Sequence, residues 1–127
     1  MTGASASYPG MSLPRLLLHA EGAAVFFASI LVYARLDAPW WAFVVFLLAP
    51  DLSAAGYLFG TRAGSITYNL THTTIIPLSL GLAGWWLHWG WTAPVALIWL
   101  AHIGGDRMVG YGLKYPDSFK HTHFNEV

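Results

Sequence analysis

The chain has 127 residues, of which 56% are hydrophobic and 9% charged, with zero formal net charge and no cysteine. A soluble domain carries roughly 25% charged residues and must cover a large surface for its volume, so six basic and six acidic side chains point instead to an integral membrane protein. The same composition excludes intrinsic disorder, disulfide and thiolate chemistry, and the basic field that a nucleic-acid partner requires.

Residues 1–12 are rich in Gly, Ser and Ala without Lys or Arg and read as a disordered tail. A cleaved signal peptide would need a basic leading region, and here the apolar run after Arg15 is interrupted by His19 and Glu21. Four apolar segments follow, Leu13–Tyr33, Trp40–Phe59, Ile66–Leu87 and Trp91–Val109. Each is near the ~20 residues that cross a bilayer as a helix. The links Ala34–Pro39, Gly60–Ser65 and His88–Gly90 are short, which forces antiparallel neighbours. The expected fold is therefore all-α: a four-helix transmembrane bundle over 13–109, up-down-up-down, with a polar tail over 110–127.

Arg15, Arg62, Arg107, Lys114 and Lys120 fall on the side of the two termini, against Arg35 beside Asp37 on the other. The positive-inside rule then puts both termini in the cytoplasm, with the chain in the inner membrane. Trp40, Trp41, Trp85, Trp86, Trp89 and Trp91 gather at the opposite interface and read as an aromatic belt. Trp99 lies mid-span and is expected in a pocket wall.

Ionisable groups inside a span are costly and usually functional. Glu21, Asp51, His72, His102, Asp106 and Arg107 are such groups. Counted at 1.5 Å per residue from the cytoplasmic ends, Glu21 and Asp51 lie roughly 12 Å deep, His72 roughly 9 Å, His102 roughly 10 Å and Asp106 roughly 5 Å. Four helices running in alternating directions thus contribute to one layer. His102 and Asp106, and likewise Tyr68 and His72, are four apart and share a helix face. Pro50 removes a backbone hydrogen bond beside Asp51 and predicts a kink there. A bland reading competes for each residue, since Asp106 with Arg107 or Glu21 with Arg15 can form a plain ion pair. Three carboxylates and two histidines in one layer exceed what helix packing needs. His121 and His123 in the tail read as solvated, and Asn69-Leu70-Thr71 matches a glycosylation sequon only by accident of its place in a span.

The stretches Pro50-Asp51-Leu52-Ser53-Ala54-Ala55-Gly56-Tyr57, Tyr68-Asn69-Leu70-Thr71-His72 and Ala101 through Tyr115, with Glu21-Gly22, resemble the domain-of-unknown-function 4260 family of small bacterial membrane proteins. The resemblance covers nearly the whole chain after residue 12 and implies a membrane location without an activity. Pro-Asp on one helix with His-x-x-x-Asp on another is similar to the membrane-bound metal-dependent hydrolases, with the departure that Leu52-Ser53 follows Asp51 where a second nearby Asp is expected. In size and character the chain is also similar to the small integral-membrane terpene cyclases.

Three functions compete. The first is a proton-initiated cyclase or isomerase of a prenyl or terpenoid substrate. Asp51, Asp106 or Glu21 would be the buried acid and His72 or His102 the base, with Tyr57, Tyr68, Asn69, Trp99 and Arg107 contacting substrate and no cofactor. The second is a metal-dependent hydrolase or oxidase, with a divalent ion on Glu21, Asp51, His72, His102 and Asp106. The third is a carrier or accessory subunit, which at four helices would need homo-oligomerisation. The expected partners are a lipophilic small molecule and membrane lipid, without nucleic acid.

Overall fold

The structure, a computed structural model, describes residues 12–113. The expectations for residues 1–11 and 114–127, including Lys114, Lys120, His121 and His123, lie outside the described residues. The described chain is all-α. Its α-helices are α1 (Leu13–Tyr33), α2 (Trp40–Phe46), α3 (Thr61–His72), α4 (Ile75–Trp86) and α5 (Thr92–Val109), with a 3-10 helix over Ala49–Phe59 between α2 and α3.

Two of the four expected spans stand unbroken as α1 and α5. Ser12, assigned to the tail, is the N-cap of α1, its hydroxyl accepting from the Arg15 amide at 3.3 Å. The other two spans are broken, and a proline accounts for each break. A proline has no N–H for the carbonyl four residues back and its ring crowds that carbonyl. Pro50 stands four residues after Phe46, the last residue of α2, and the chain continues as a 3-10 helix. Pro77 stands four residues after Thr73, where the backbone turns extended (φ −88°, ψ 140°) and separates α3 from α4. The expected single helix Ile66–Leu87 is therefore two.

The link expected over Gly60–Ser65 also shrinks, to Gly60 alone. Its φ of 111° lies where a side chain would be strained. Residues Thr61–Ser65 carry no large apolar side chain, so a hydropathy reading passes them over, yet they form the start of α3.

Helix α5 is central and packs against both α1 and α4, while α3 packs on the 3-10 helix. The α1–α5 contact is backbone on backbone. A Cβ on Gly104 would stand 2.6 Å from the Phe26 amide nitrogen, and one on Gly22 would stand 2.5 Å from that of Met108. Tyr33, Phe43, Ile98 and Ala101 form the buried apolar core, with the Tyr33 hydroxyl donating to the Pro39 carbonyl at 2.8 Å.

By length and apolarity, α1 and the helical stretch Trp40–Phe59 are each able to cross a membrane. The six tryptophans read as a belt are all exposed.

Candidate metal centre

The two breaks place the chemistry. The 3-10 helix makes poorer backbone bonds than an α-helix and is rarely this long. Side-chain hydroxyls of α3 supply what it lacks. The Thr67 hydroxyl donates to the Ser53 carbonyl at 2.9 Å, and the Thr71 hydroxyl lies 2.7 Å from Ser53 Oγ and 3.2 Å from the Pro50 carbonyl. Ser53 Oγ donates in turn to the Pro50 carbonyl at 2.7 Å. Asp51, next in the chain, is held against the end of α3.

That end needs partners of its own, because the last carbonyls of a helix have none within it. Two α5 side chains provide them. Trp99 Nε1 donates to the Thr71 carbonyl at 2.5 Å, and Arg107 Nη2 donates to the His72 carbonyl at 3.2 Å. A cation there also meets the negative end of the helix dipole.

Asp51, His72, His102 and Asp106 thereby converge, each offering one atom, with all these atoms within 4.8 Å of one another. The two Nε2 atoms are 3.1 Å apart. Asp51 Oδ1 is 3.2 Å from His72 Nε2 and 3.1 Å from His102 Nε2. Asp106 Oδ2 is 3.4 Å and 3.2 Å from the same two nitrogens. Both imidazoles are almost fully buried, whereas the Asp106 side chain is 21% exposed and that of Asp51 50%. The cluster is closed on three edges and open at Asp51.

The protonation of the histidines follows from their outer bonds. His72 Nδ1 is 2.7 Å from the Tyr68 carbonyl, which can only accept, so the ring proton is on Nδ1 and Nε2 presents a lone pair. The Thr71 hydroxyl at 2.9 Å and the Tyr68 ring, stacked at 3.7 Å between centroids, fix the ring plane. His102 Nε2 faces inward, toward His72 and both carboxylates. Asp106 Oδ2 is buried without a hydrogen bond. Two imidazole nitrogens and two carboxylate oxygens thus face one point. For a tetrahedral ion at ~2.0–2.2 Å from N and O ligands, the ligand atoms would stand roughly 3.3–3.6 Å apart. The nitrogen–nitrogen and nitrogen–oxygen spacings, 3.1–3.4 Å, lie close to that range, and a backbone-tied histidine is the usual outer support of a metal ligand.

Of the other expected site residues, Tyr68, Trp99 and Arg107 adjoin the centre. Glu21 does not join it. It lies exposed on α1 and lines a separate cleft with Gly22, Val25, Thr74, Ile103, Gly104 and Arg107. Tyr57, on the 3-10 helix, has its ring against Gly64 of α3. Asn69 is half-buried on α3, its carbonyl accepting from the Thr73 amide at 3.0 Å. Ser53, Thr67 and Thr71 were not expected at the site. The available signal is that Thr67 and Thr71 are four apart and share a stripe, next to the stripe of Tyr68 and His72.

One family model matches residues 15–127. The chain belongs to that family, Domain of unknown function (DUF4260). The match includes all four residues of the cluster and both flanking side chains of α5. No curated protein and no solved structure matches the chain.

Proposed function

We propose that this member of the family is a membrane-embedded, metal-dependent hydrolase of a lipophilic substrate. The ion is divalent, of the zinc type; its ligands are His72, His102 and Asp106, and Asp51 stands beside the fourth position that they leave open. The observation that carries this reading is the convergence of two imidazole nitrogens, 3.1 Å apart, with one oxygen of each carboxylate 3.1–3.4 Å from both, and with the proton of His72 turned outward to a backbone carbonyl. Imidazole with carboxylate suits zinc among the common ions. An ion held there supplies Lewis acidity and a nucleophilic water near neutral pH.

The roles of the side chains follow from their exposure. His72, His102 and Asp106 are the shielded face that fixes the ion. Asp51 stands at the open edge, where a substrate and a water enter, and its carboxylate orients that water and accepts its proton. In the bilayer, the helical passes are α1, the α2–3-10 stretch, α3 with α4, and α5, with both termini in the cytoplasm. The irregular backbone of the 3-10 helix is tolerated at membrane depth because the hydroxyls of Ser53, Thr67 and Thr71 meet its carbonyls.

The acid-initiated cyclase remains the second chemistry these residues allow. It needs a carboxylic acid kept protonated in a dry pocket. Asp51 is half exposed, and the proton of His72 is turned outward to the Tyr68 carbonyl, which leaves the nitrogen facing the carboxylates open to a cation.

The test uses the full chain in detergent with chromogenic esters and phosphodiesters. Hydrolysis is expected to disappear with chelator and return with zinc. Asp51→Asn is expected to lower turnover by ~10²–10⁴-fold, the contribution typical of a general base, while retaining the ion. Hydrolysis that persists through chelation contradicts the reading.

A further inference from the structure

A cavity of about 230 Å³ lies beside the cluster, lined by Phe46, Ala49, Pro50, Val95, Ile98 and Trp99. Every lining side chain is apolar apart from the indole N–H, which is already given to the Thr71 carbonyl. The cavity meets the centre along two chain segments. Pro50 precedes Asp51, and Ile98 is one helical turn before His102. Trp99 joins the two, since its ring lines the cavity while its N–H holds the residue next to His72.

We infer that this cavity holds the apolar chain of the substrate and so delivers the bond to be cleaved to the Asp51 edge. The inference deepens the hydrolytic reading and rests on it. A methylene fills about the volume of a water in the liquid, ~30 Å³, so the cavity takes roughly eight carbons. No polar side chain in it could recognise a head group, so the substrate is an amphiphile whose chain enters from the hydrocarbon phase and whose polar linkage stops at Asp51. Ala49 and Val95 are exposed at the rim, and bulk there shortens the chain that fits.

The experiment uses the full chain in lipid nanodiscs and a long-chain ester with a photoreactive diazirine on its tail, with cross-links mapped by peptide mass spectrometry and zinc measured on the same samples. Labelling is expected to concentrate on residues 46–50 and 95–99. It is expected to fall at least tenfold in Ala49→Trp and Val95→Phe, which keep wild-type zinc content. Excess decyl acetate or farnesyl acetate distinguishes a straight from an isoprenoid chain, and suppression of the wild-type labelling by either supports the site. Labelling spread evenly over exposed residues of α1, α2 and α4, with no suppression by either competitor, overturns it. Concentrated labelling in a protein that binds no zinc overturns the hydrolytic reading and leaves the chain site standing, so the two failures are separable.

Discussion

The α1–α5 pair and the 3-10–α3 pair solve the same problem in opposite ways. Between α1 and α5 the helices are regular. Gly22 and Gly104 let the two backbones touch, and a side-chain bond from His19 Nδ1 to the Met108 carbonyl at 2.8 Å joins them near the end of α5. Between the 3-10 helix and α3 the regular ladder is given up at Pro50, and Thr67, Thr71 and Ser53 replace it with hydroxyl-to-carbonyl bonds. The first pair is a rigid support that carries one side of the cluster through α5. The second trades regular backbone for precise placement of Asp51 and His72. A site at the seam of the two needs both: His102 and Asp106 from the support, Asp51 and His72 from the adapted half.

The contrast is broken most severely at Gly104. Gly104→Val puts a branched side chain against the backbone of Phe26, which cannot move aside as a side chain would. A loss of about 3 kcal/mol is expected, the upper end of the range for overpacking, read as thermal unfolding in detergent, with loss of ion binding as a consequence.

On the other half, Thr71→Val keeps the shape and removes the hydroxyl between Ser53, Pro50 and His72. About 1–2 kcal/mol of stability is expected to go. Zinc affinity is expected to weaken ~10–100-fold, as when an outer support of a ligand is lost. A variant that lost stability with unchanged zinc affinity would show that the hydroxyl holds the helices without tuning the centre. Trp99→Phe is milder. The Thr71 carbonyl loses its indole donor, which costs about 1 kcal/mol, and the added room in the cavity leaves the three ligands and Asp51 in place. Equal unfolding midpoints for Trp99→Phe and wild type would count against the capping role.

How much of this was legible in the sequence varies residue by residue. Counting depth along helices found the layer that holds Asp51, His72, His102 and Asp106, and the four-residue spacing of His102 and Asp106 put those two on one face. Depth does not fix rotation about a helix axis. Gly22 faces α5, so Glu21, one residue earlier, is turned ~100° away at 3.6 residues per turn and meets Arg107 in another cleft. The break at Pro50 followed from its missing N–H. The same rule applied to Pro77 marks Thr73, but the apolar run over Ile66–Leu87 masked it. The hydroxyls of Ser53, Thr67 and Thr71 carry little weight in a hydropathy reading, and their value appears only once the 3-10 backbone offers them carbonyls. A set of carboxylates is equally compatible with an acid and with a ligand set, whereas the outward-facing proton of His72 and the two imidazole nitrogens 3.1 Å apart favour a cation.

The central claim is that His72, His102 and Asp106 hold one divalent ion beside Asp51. It is tested most directly by elemental analysis of the full chain, purified in detergent without chelator and dialysed against limiting zinc, beside the doubly substituted His72→Ala/His102→Ala chain. The account predicts one zinc per wild-type chain, bound with two imidazole ligands and N/O distances of ~2.0–2.2 Å by X-ray absorption, and none in the double variant. A wild-type chain that stays free of metal, or a double variant that keeps its zinc, would contradict it.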